Sequence, residues 1–193
     1  MLEEMLRIAP GGVHYAFEPL PALFQVLQSE FGSNPHVSLH NLALSDSSGF
    51  VKFQHVVTNP GYSGLKQRRY DRENEVIEEI QVKTARLDDV LPDNIDIRFV
   101  KIDVEGAELQ VLRGAVETFK RCKPVVVFEH GLGAADYYGT TPAQVFDLFT
   151  IEMGLRCFCL PDWLETDGRK SLDRNSFIDE FSSGRNYYFV ASK

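Results

Sequence analysis

Residues 97–108 constrain the rest of this 193-residue chain more than any other stretch. Ile97 to Ile102 is mostly apolar and β-branched or aromatic, as in a strand covered on both faces inside a parallel sheet. Asp103-Val104-Glu105 follows at the strand's carboxyl end, and Gly106 lets the backbone turn where a Cβ would clash. From Ala107 the period changes. Leu109, Leu112, Val116 and Phe119 recur at three- and four-residue spacing and form one apolar helix stripe. A strand, an acidic turn and a helix therefore follow one another directly. Ligands of open α/β sheets bind outside the carboxyl ends of strands, so Asp103 and Glu105 are site candidates; the alternative is that either acid only caps the helix.

The same device recurs on both sides. Val13 to Phe17 reads as a strand closing at Glu18-Pro19, and Pro21 opens a helix with Leu23, Phe24, Leu27 and Phe31 on one side. A carboxylate at such a strand end offers two acceptor oxygens, enough for both hydroxyls of a ribose. Pro124 to Phe128 is a further buried strand, ending in Glu129-His130 with Gly131 next. Three strands thus end in carboxylates, and in a parallel sheet such ends share one edge.

Between these units, Met1 to Ile8 predicts a short helix stopped by Pro10-Gly11-Gly12, and Val37 to Leu44 a single strand. Phe50 to Val56 and Val76 to Thr84 keep similar parity and predict an inserted antiparallel hairpin. The connection from Thr58 to Asn74 carries Arg68, Arg69 and Arg72 and reads either as a lid or as a disordered loop. Leu87 to Leu91 predicts a helical turn, and Thr141-Pro142-Ala143-Gln144 opens a helix with a capping-box pattern that Gly154 ends. Beyond it lie a strand at Leu155 to Leu160, a polar loop at Pro161 to Ser171 holding Trp163, a short helix at Phe177 to Phe181 and a strand at Asn186 to Ala191. No repeat or linker interrupts this order, so residues 1–193 are expected to form one domain. The expected fold class is α/β, with an open, mostly parallel sheet and one antiparallel strand near an edge.

Charge and cysteine content narrow the function. Acidic residues outnumber basic ones by 28 to 20, a net charge of −8, which argues against nucleic acid or an anionic membrane as partner. No apolar run approaches the roughly 20 residues that span a bilayer. Cys122, Cys157 and Cys159 give no disulfide framework, and no secretory signal opens the chain, which points to a reducing, cytoplasmic compartment. Cys157 and Cys159 lie in a strand-like stretch without a second ligand pair and read as core residues, not zinc ligands.

Taken together, Phe17-Glu18-Pro19, Asn41-x-Ala43-Leu44-Ser45-Asp46, Val100 to Glu108 and Val111-Leu112-x-Gly114-Ala115 resemble the FkbM family of S-adenosylmethionine-dependent methyltransferases. The Pro124-to-Glu129 strand fits the same resemblance, which runs from about Tyr15 to Glu129 in the right order. It implies a class I, Rossmann-like methyltransferase sheet and methyl transfer to a hydroxyl of a small metabolite, sugar or polyketide. By position it implies that Glu18 binds the cofactor ribose, that Ala43, Leu44 and Asp46 border the adenine, and that Asp103 lies near the methionine end or the acceptor. Members of that fold ordinarily begin with a further strand and a glycine-rich loop, which this chain lacks. Three expectations follow: a sequence beginning downstream of the family's usual start, the reading preferred here; direct pairing of the strands on either side of the gap; or a strand supplied by another chain.

A hydroxyl acceptor calls for a general base, and His130 is the candidate by residue type, with Glu129 orienting it or acting in its place; the alternative is a solvated loop residue. Asp103, Glu105, Glu129 and His130 are also compatible with Mg²⁺, although no ligand spacing demands a metal and none is assigned. The arginines of the 58–74 connection either reach an acidic acceptor or are simply solvated. Two other functional classes stay open: an inactive methyltransferase-fold scaffold, and a metal-dependent hydrolase using the strand-end acids. A homo-oligomer is compatible with the sequence.

Overall fold

The computed structural model describes residues 1–193. It opens with helix α1 (Leu2–Ile8), strand β1 (His14–Phe17) and helix α2 (Pro21–Phe31), followed by strands β2 (Val37–His40), β3 (Ala43–Leu44), β4 (Gly49–Val56) and β5 (Ile77–Ala85). A short helix α3 (Leu87–Val90) leads to β6 (Phe99–Ile102), helices α4 (Glu108–Arg113) and α5 (Val116–Cys122), and β7 (Val125–Glu129). The chain closes with α6 (Pro142–Asp147), β8 (Arg156–Cys159), α7 (Leu160–Thr166), α8 (Arg174–Ser183) and β9 (Tyr188–Ser192). No helix is long and apolar enough to cross a membrane.

The strands form three sheets: β1 with β2, β3-β5-β4, and β6-β7-β9-β8. β1 runs parallel to β2, β3 to β5 and β6 to β7. In the four-stranded sheet β9 is antiparallel to both neighbours, so it is the one reversed strand, next to the edge strand β8. The inserted hairpin pairs β4 with β5 from Gly49↔Thr84 to Val56↔Ile77, as the shared parity predicts. β1 and β6 each have a strand partner on one side only, and no ladder joins them. Direct pairing across the family's missing strand, one of the three expectations, does not occur.

One core holds these layers together. Ile102, Leu109, Leu112, Phe119, Val126, Phe128, Phe149 and Phe189 are buried in a single cluster, against which Tyr15, Phe17, Leu44 and Val100 also pack. Apolar burial at about 25 cal/mol per Å² makes this cluster the dominant stabilising term. A smaller cluster of Leu20, Ala43, Phe53 and Val82 fastens the hairpin beside the strand ends.

Four local expectations are corrected. The predicted strand at 37–44 is two strands in two sheets, because the Asn41 side chain donates to Glu18 O at 2.8 Å and Pro19 O at 3.2 Å and turns the backbone. The single helix predicted after Gly106 breaks at Gly114-Ala115, where a Cβ on Gly114 would collide with Ser45 O and where Asp88 caps the second segment by accepting from Thr118 N–H at 2.9 Å. Pro161 to Ser171 is not simply a polar loop. Helix α7 fills its first half, started by the proline in the first turn and anchored where Trp163 Nε1–H donates to Ser192 Oγ at 3.2 Å. Helix α8 is longer than expected because Asp173 accepts from Ser176 N–H and starts it early.

Candidate functional site

The acidic turn after β6 is shaped by its backbone. Glu105 has φ +56° and Gly106 φ +106°, a left-handed pair that reverses the chain within two residues. Glycine is required at 106: a Cβ there would lie 2.7 Å from the Ala134 carbonyl carbon and oxygen. Glu108, in the first turn of α4, accepts from Gly106 N–H through Oε1 at 2.9 Å and locks the reversal.

Opposite the turn stands the end of β7. Glu129 is half-buried, and its carboxyl is held above the ordinary carboxylate range by burial, then by the negative charges of Asp103 and Glu108, against the opposing pull of Arg68 and Lys101. His130 does not face the cleft. Its residue is only 1 % exposed, its ring lies 4.6 Å from that of Phe181 and 6.2 Å from that of Phe177, and Nδ1 sits 3.9 Å from Glu108 Oε2. That distance is beyond a hydrogen bond. The imidazole turns inward because its backbone N–H is paired with Tyr187 O at 2.8 Å and the ring is the right shape for the aromatic slot under α8. As placed, it is neither a solvated loop residue nor a base touching an acceptor.

The 58–74 connection closes over both. Arg68 pairs with Glu105, the two side chains being 14 % and 16 % exposed, and its guanidinium lies 5.1 Å from the Tyr62 ring centroid. Lys66 N–H donates to Tyr138 Oη at 2.9 Å and Arg69 N–H to Gly133 O at 3.1 Å. Burial pushes the Tyr138 phenol up to about 12, so it stays protonated across the neutral range. Through these contacts the connection covers the site, the arrangement that the lid reading describes.

These three segments enclose a cavity of about 250 Å³. Glu105, Gly106 and Glu108 form one side, Glu129, Gly131, Leu132 and Ala134 another, Arg68, Arg69 and Asp71 the roof, and Tyr187 a wall. Glu18, Ala43, Leu44, Asp46 and Asp103 do not line it. Asp103 lies outside, held by Lys101 Nζ at 2.6 Å. No group of three or more His, Cys, Asp and Glu converges in a way that could hold a metal ion.

Glu18 belongs to a second cluster at the end of β1. Its N–H donates to His40 O at 3.0 Å, and its Oε1 accepts from Leu20 N–H at 2.8 Å, which leaves Oε2 for another donor. Burial raises the carboxyl from its ordinary value, and the Leu20 bond partly opposes that. Ala43 is buried and Leu44 half-buried just beyond Asn41, whereas Asp46 is exposed. The sequence reading missed Glu108, Tyr138 and Tyr187. For Glu108 a signal exists, a lone carboxylate between Ala107 and Leu109 on an otherwise apolar helix start; Tyr138 closes a short turn with no sequence pattern, and Tyr187, read as part of the closing strand, lies one residue before β9.

Comparison with known proteins bears on this arrangement. Residues 3–156 match the methyltransferase FkbM domain. Methyltransferase 1 of Beauveria bassiana is 30% identical over 128 residues, covering 57% of this chain and 51% of that protein. Methyltransferase sdnD of Sordaria araneosa is 32% identical over 142 residues, covering 58% and 55%. The chain spans about half the length of these curated relatives. The crystal structure of methyltransferase FkbM from Methylobacillus flagellatus aligns with a TM-score of 0.54 over 98% of this chain and 40% of that one, at 14% identity, a likeness of fold alone.

Proposed function

The chain belongs to the FkbM methyltransferase family, and from that premise we propose that it is an S-adenosylmethionine-dependent O-methyltransferase acting on a hydroxyl of a small metabolite or sugar. The observation that carries this reading is the roofed cavity at the carboxyl ends of β6 and β7, with Glu129 half-buried on its side. When bound, S-adenosylmethionine supplies an electrophilic methyl carbon. The residues at the end of β1 fit that cofactor. Glu18 offers a free carboxylate oxygen to a ribose hydroxyl, Ala43 and Leu44 an apolar border for adenine, and Asp46 an exposed polar rim.

Methyl transfer is an in-line displacement, so this chain has to hold a hydroxyl oxygen in line and take its proton. Glu129 is the residue proposed as base. Its raised proton affinity brings it nearer the operating pH, and its carboxylate would take the acceptor's O–H proton as the methyl carbon exchanges its bond to the sulfonium sulfur, which leaves as a thioether, for one to that oxygen. Asp103 remains a candidate for the methionine end, with its charge partly compensated by Lys101. His130 acts from behind, by packing against Glu108 and so fixing the Gly106 turn.

The test is transfer of an isotopic methyl group from S-adenosylmethionine to a panel of hydroxylated metabolites. Glu129→Gln is expected to lower turnover by about 10²- to 10⁴-fold, and kcat/KM of the parent chain to rise with pH as Glu129 ionises. Undiminished turnover in Glu129→Gln would remove Glu129 as base; labelled product on nitrogen or carbon would remove the hydroxyl reading.

A further inference from the structure

Behind the cavity wall lies a buried pair of ionisable groups that touches no reacting atom. Glu108, in the first turn of α4, and His130, just past the end of β7, have side chains 3 % and 0 % exposed. Glu108 Oε1 is taken by Gly106 N–H. Its Oε2 lies beside the imidazole without a hydrogen-bond partner, and neither ring nitrogen of His130 has one. Three buried polar atoms thus stand side by side, each at a cost that a hydrogen bond would lower.

The pair can form one such bond. Nδ1 is 3.9 Å from Oε2, about 1 Å beyond bonding distance, and the Phe177 and Phe181 rings packed on the imidazole offer no acceptor oxygen. A neutral imidazole carries a single N–H. On Nε2 that proton is a buried donor without an acceptor; on Nδ1 it meets a carboxylate oxygen that lacks a donor. The ring's direction is set by its backbone, since His130 N–H donates to Tyr187 O at 2.8 Å and Gly131 lies so close to the Tyr187 ring that no Cβ fits. Glu108 in turn serves the site twice. It locks the Gly106 reversal, and its charge, after burial and the charge of Asp103, raises the Glu129 carboxyl. We infer that His130, as the Nδ1–H tautomer, donates to Glu108 Oε2 and is a positioning residue, holding that carboxylate where it fixes the Gly106 turn opposite Glu129. The bond stands on the geometry of the pair; its bearing on catalysis rests on the methyltransferase reading.

NMR of isotopically labelled imidazole rings tests the bond, with His130→Asn identifying the signal. The parent should show His130 protonated at Nδ1, its ring proton far downfield and slow to exchange. In Glu108→Gln the amide oxygen stays with Gly106 N–H and the amide N–H turns to the ring, so the tautomer should switch to Nε2–H; an imidazole that only fills space would not respond. Amide exchange tests the positioning. His130→Phe fills the aromatic slot without a donor and should speed exchange at Gly106 about tenfold or more, whereas His130→Asn, which returns an N–H near the Nδ1 position, should keep most of the protection. In methyl transfer the same order should appear in kcat, with KM little changed. A parent chain with no transfer to any acceptor would count against the methyltransferase reading and not against the bond. An Nε2–H tautomer in the parent, or Gly106 exchange as slow in His130→Phe as in the parent, would overturn the inference.

Discussion

The two halves that flank the unpaired edges of β1 and β6 are built differently. On one side α1, β1, α2 and β2 contain no fully buried residue, and Ile8, Val13, Leu23 and Val26 are exposed. On the other, α4, α5, β7 and β9 bury Leu112, Phe119, Val126, Phe128 and Phe189 in one cluster. The half that carries Glu18 is therefore held by a few contacts, chiefly Tyr15 and Phe17 against the main core and Leu20 in the small cluster. The half that carries the acidic cavity is held by the core itself. Segments that order on binding are drawn from the low-stability end of a fold, and the half proposed to hold the cofactor has the few buried contacts of such a segment.

The largest expected contrast comes from truncating one side chain in each half. Phe128 is fully buried, with its ring 4.9 Å from Phe149 and 5.8 Å from Phe189, so Phe128→Ala should cost about 3–5 kcal/mol in urea unfolding. Val26→Ala, on the exposed face of α2, should stay within about 0.5 kcal/mol. Comparable losses would erase the distinction between the halves. Gly106→Ala is next, since both the positive φ and the Ala134 carbonyl oppose a Cβ; a loss of about 2–3 kcal/mol is expected, with the cavity deformed.

Arg68→Ala removes the roof's tie and leaves Glu105 without its cation, for an expected loss of about 1–3 kcal/mol and faster proteolytic nicking within residues 58–74. Unchanged nicking would mean that the roof is held by its backbone bonds to Tyr138 and Gly133 alone. The smallest effect is expected at Glu129. A carboxyl whose folded-state pKa is raised contributes stability below its unfolded pKa and loses it as pH rises through the folded value. Glu129→Gln should therefore melt slightly higher than the parent at neutral pH, on the order of 1–2 °C after solvent screening, and show no advantage in acid. An advantage that grew in acid would reverse the assigned sign.

Much of this division was legible in residues. Strands ending in Glu18, Asp103 and Glu129, and the hairpin parity of β4 with β5, follow from hydrophobic period and turn residues that act locally. What escaped depends on contacts distant in sequence. Asn41 breaks a strand-like run by bonding to Glu18 and Pro19 carbonyls, and Gly114 breaks a continuous helix stripe because Ser45 lies against it. His130 has the residue type of a base, but Phe177 and Phe181, nearly fifty residues on, turn it inward. Arg68 reads as solvated in a polar loop until the turn at Glu105 reaches it.

The most direct measurement is hydrogen–deuterium exchange of the whole chain with and without saturating S-adenosylhomocysteine, repeated on Glu18→Ala. The account predicts that amides of residues 14–20 and 41–46 exchange fast in the free chain, slow markedly with the ligand, and stay fast in the variant, while β7 and β9 are slow throughout. Unchanged exchange at 14–20 and 41–46, or protection confined to residues 129–138, would contradict it.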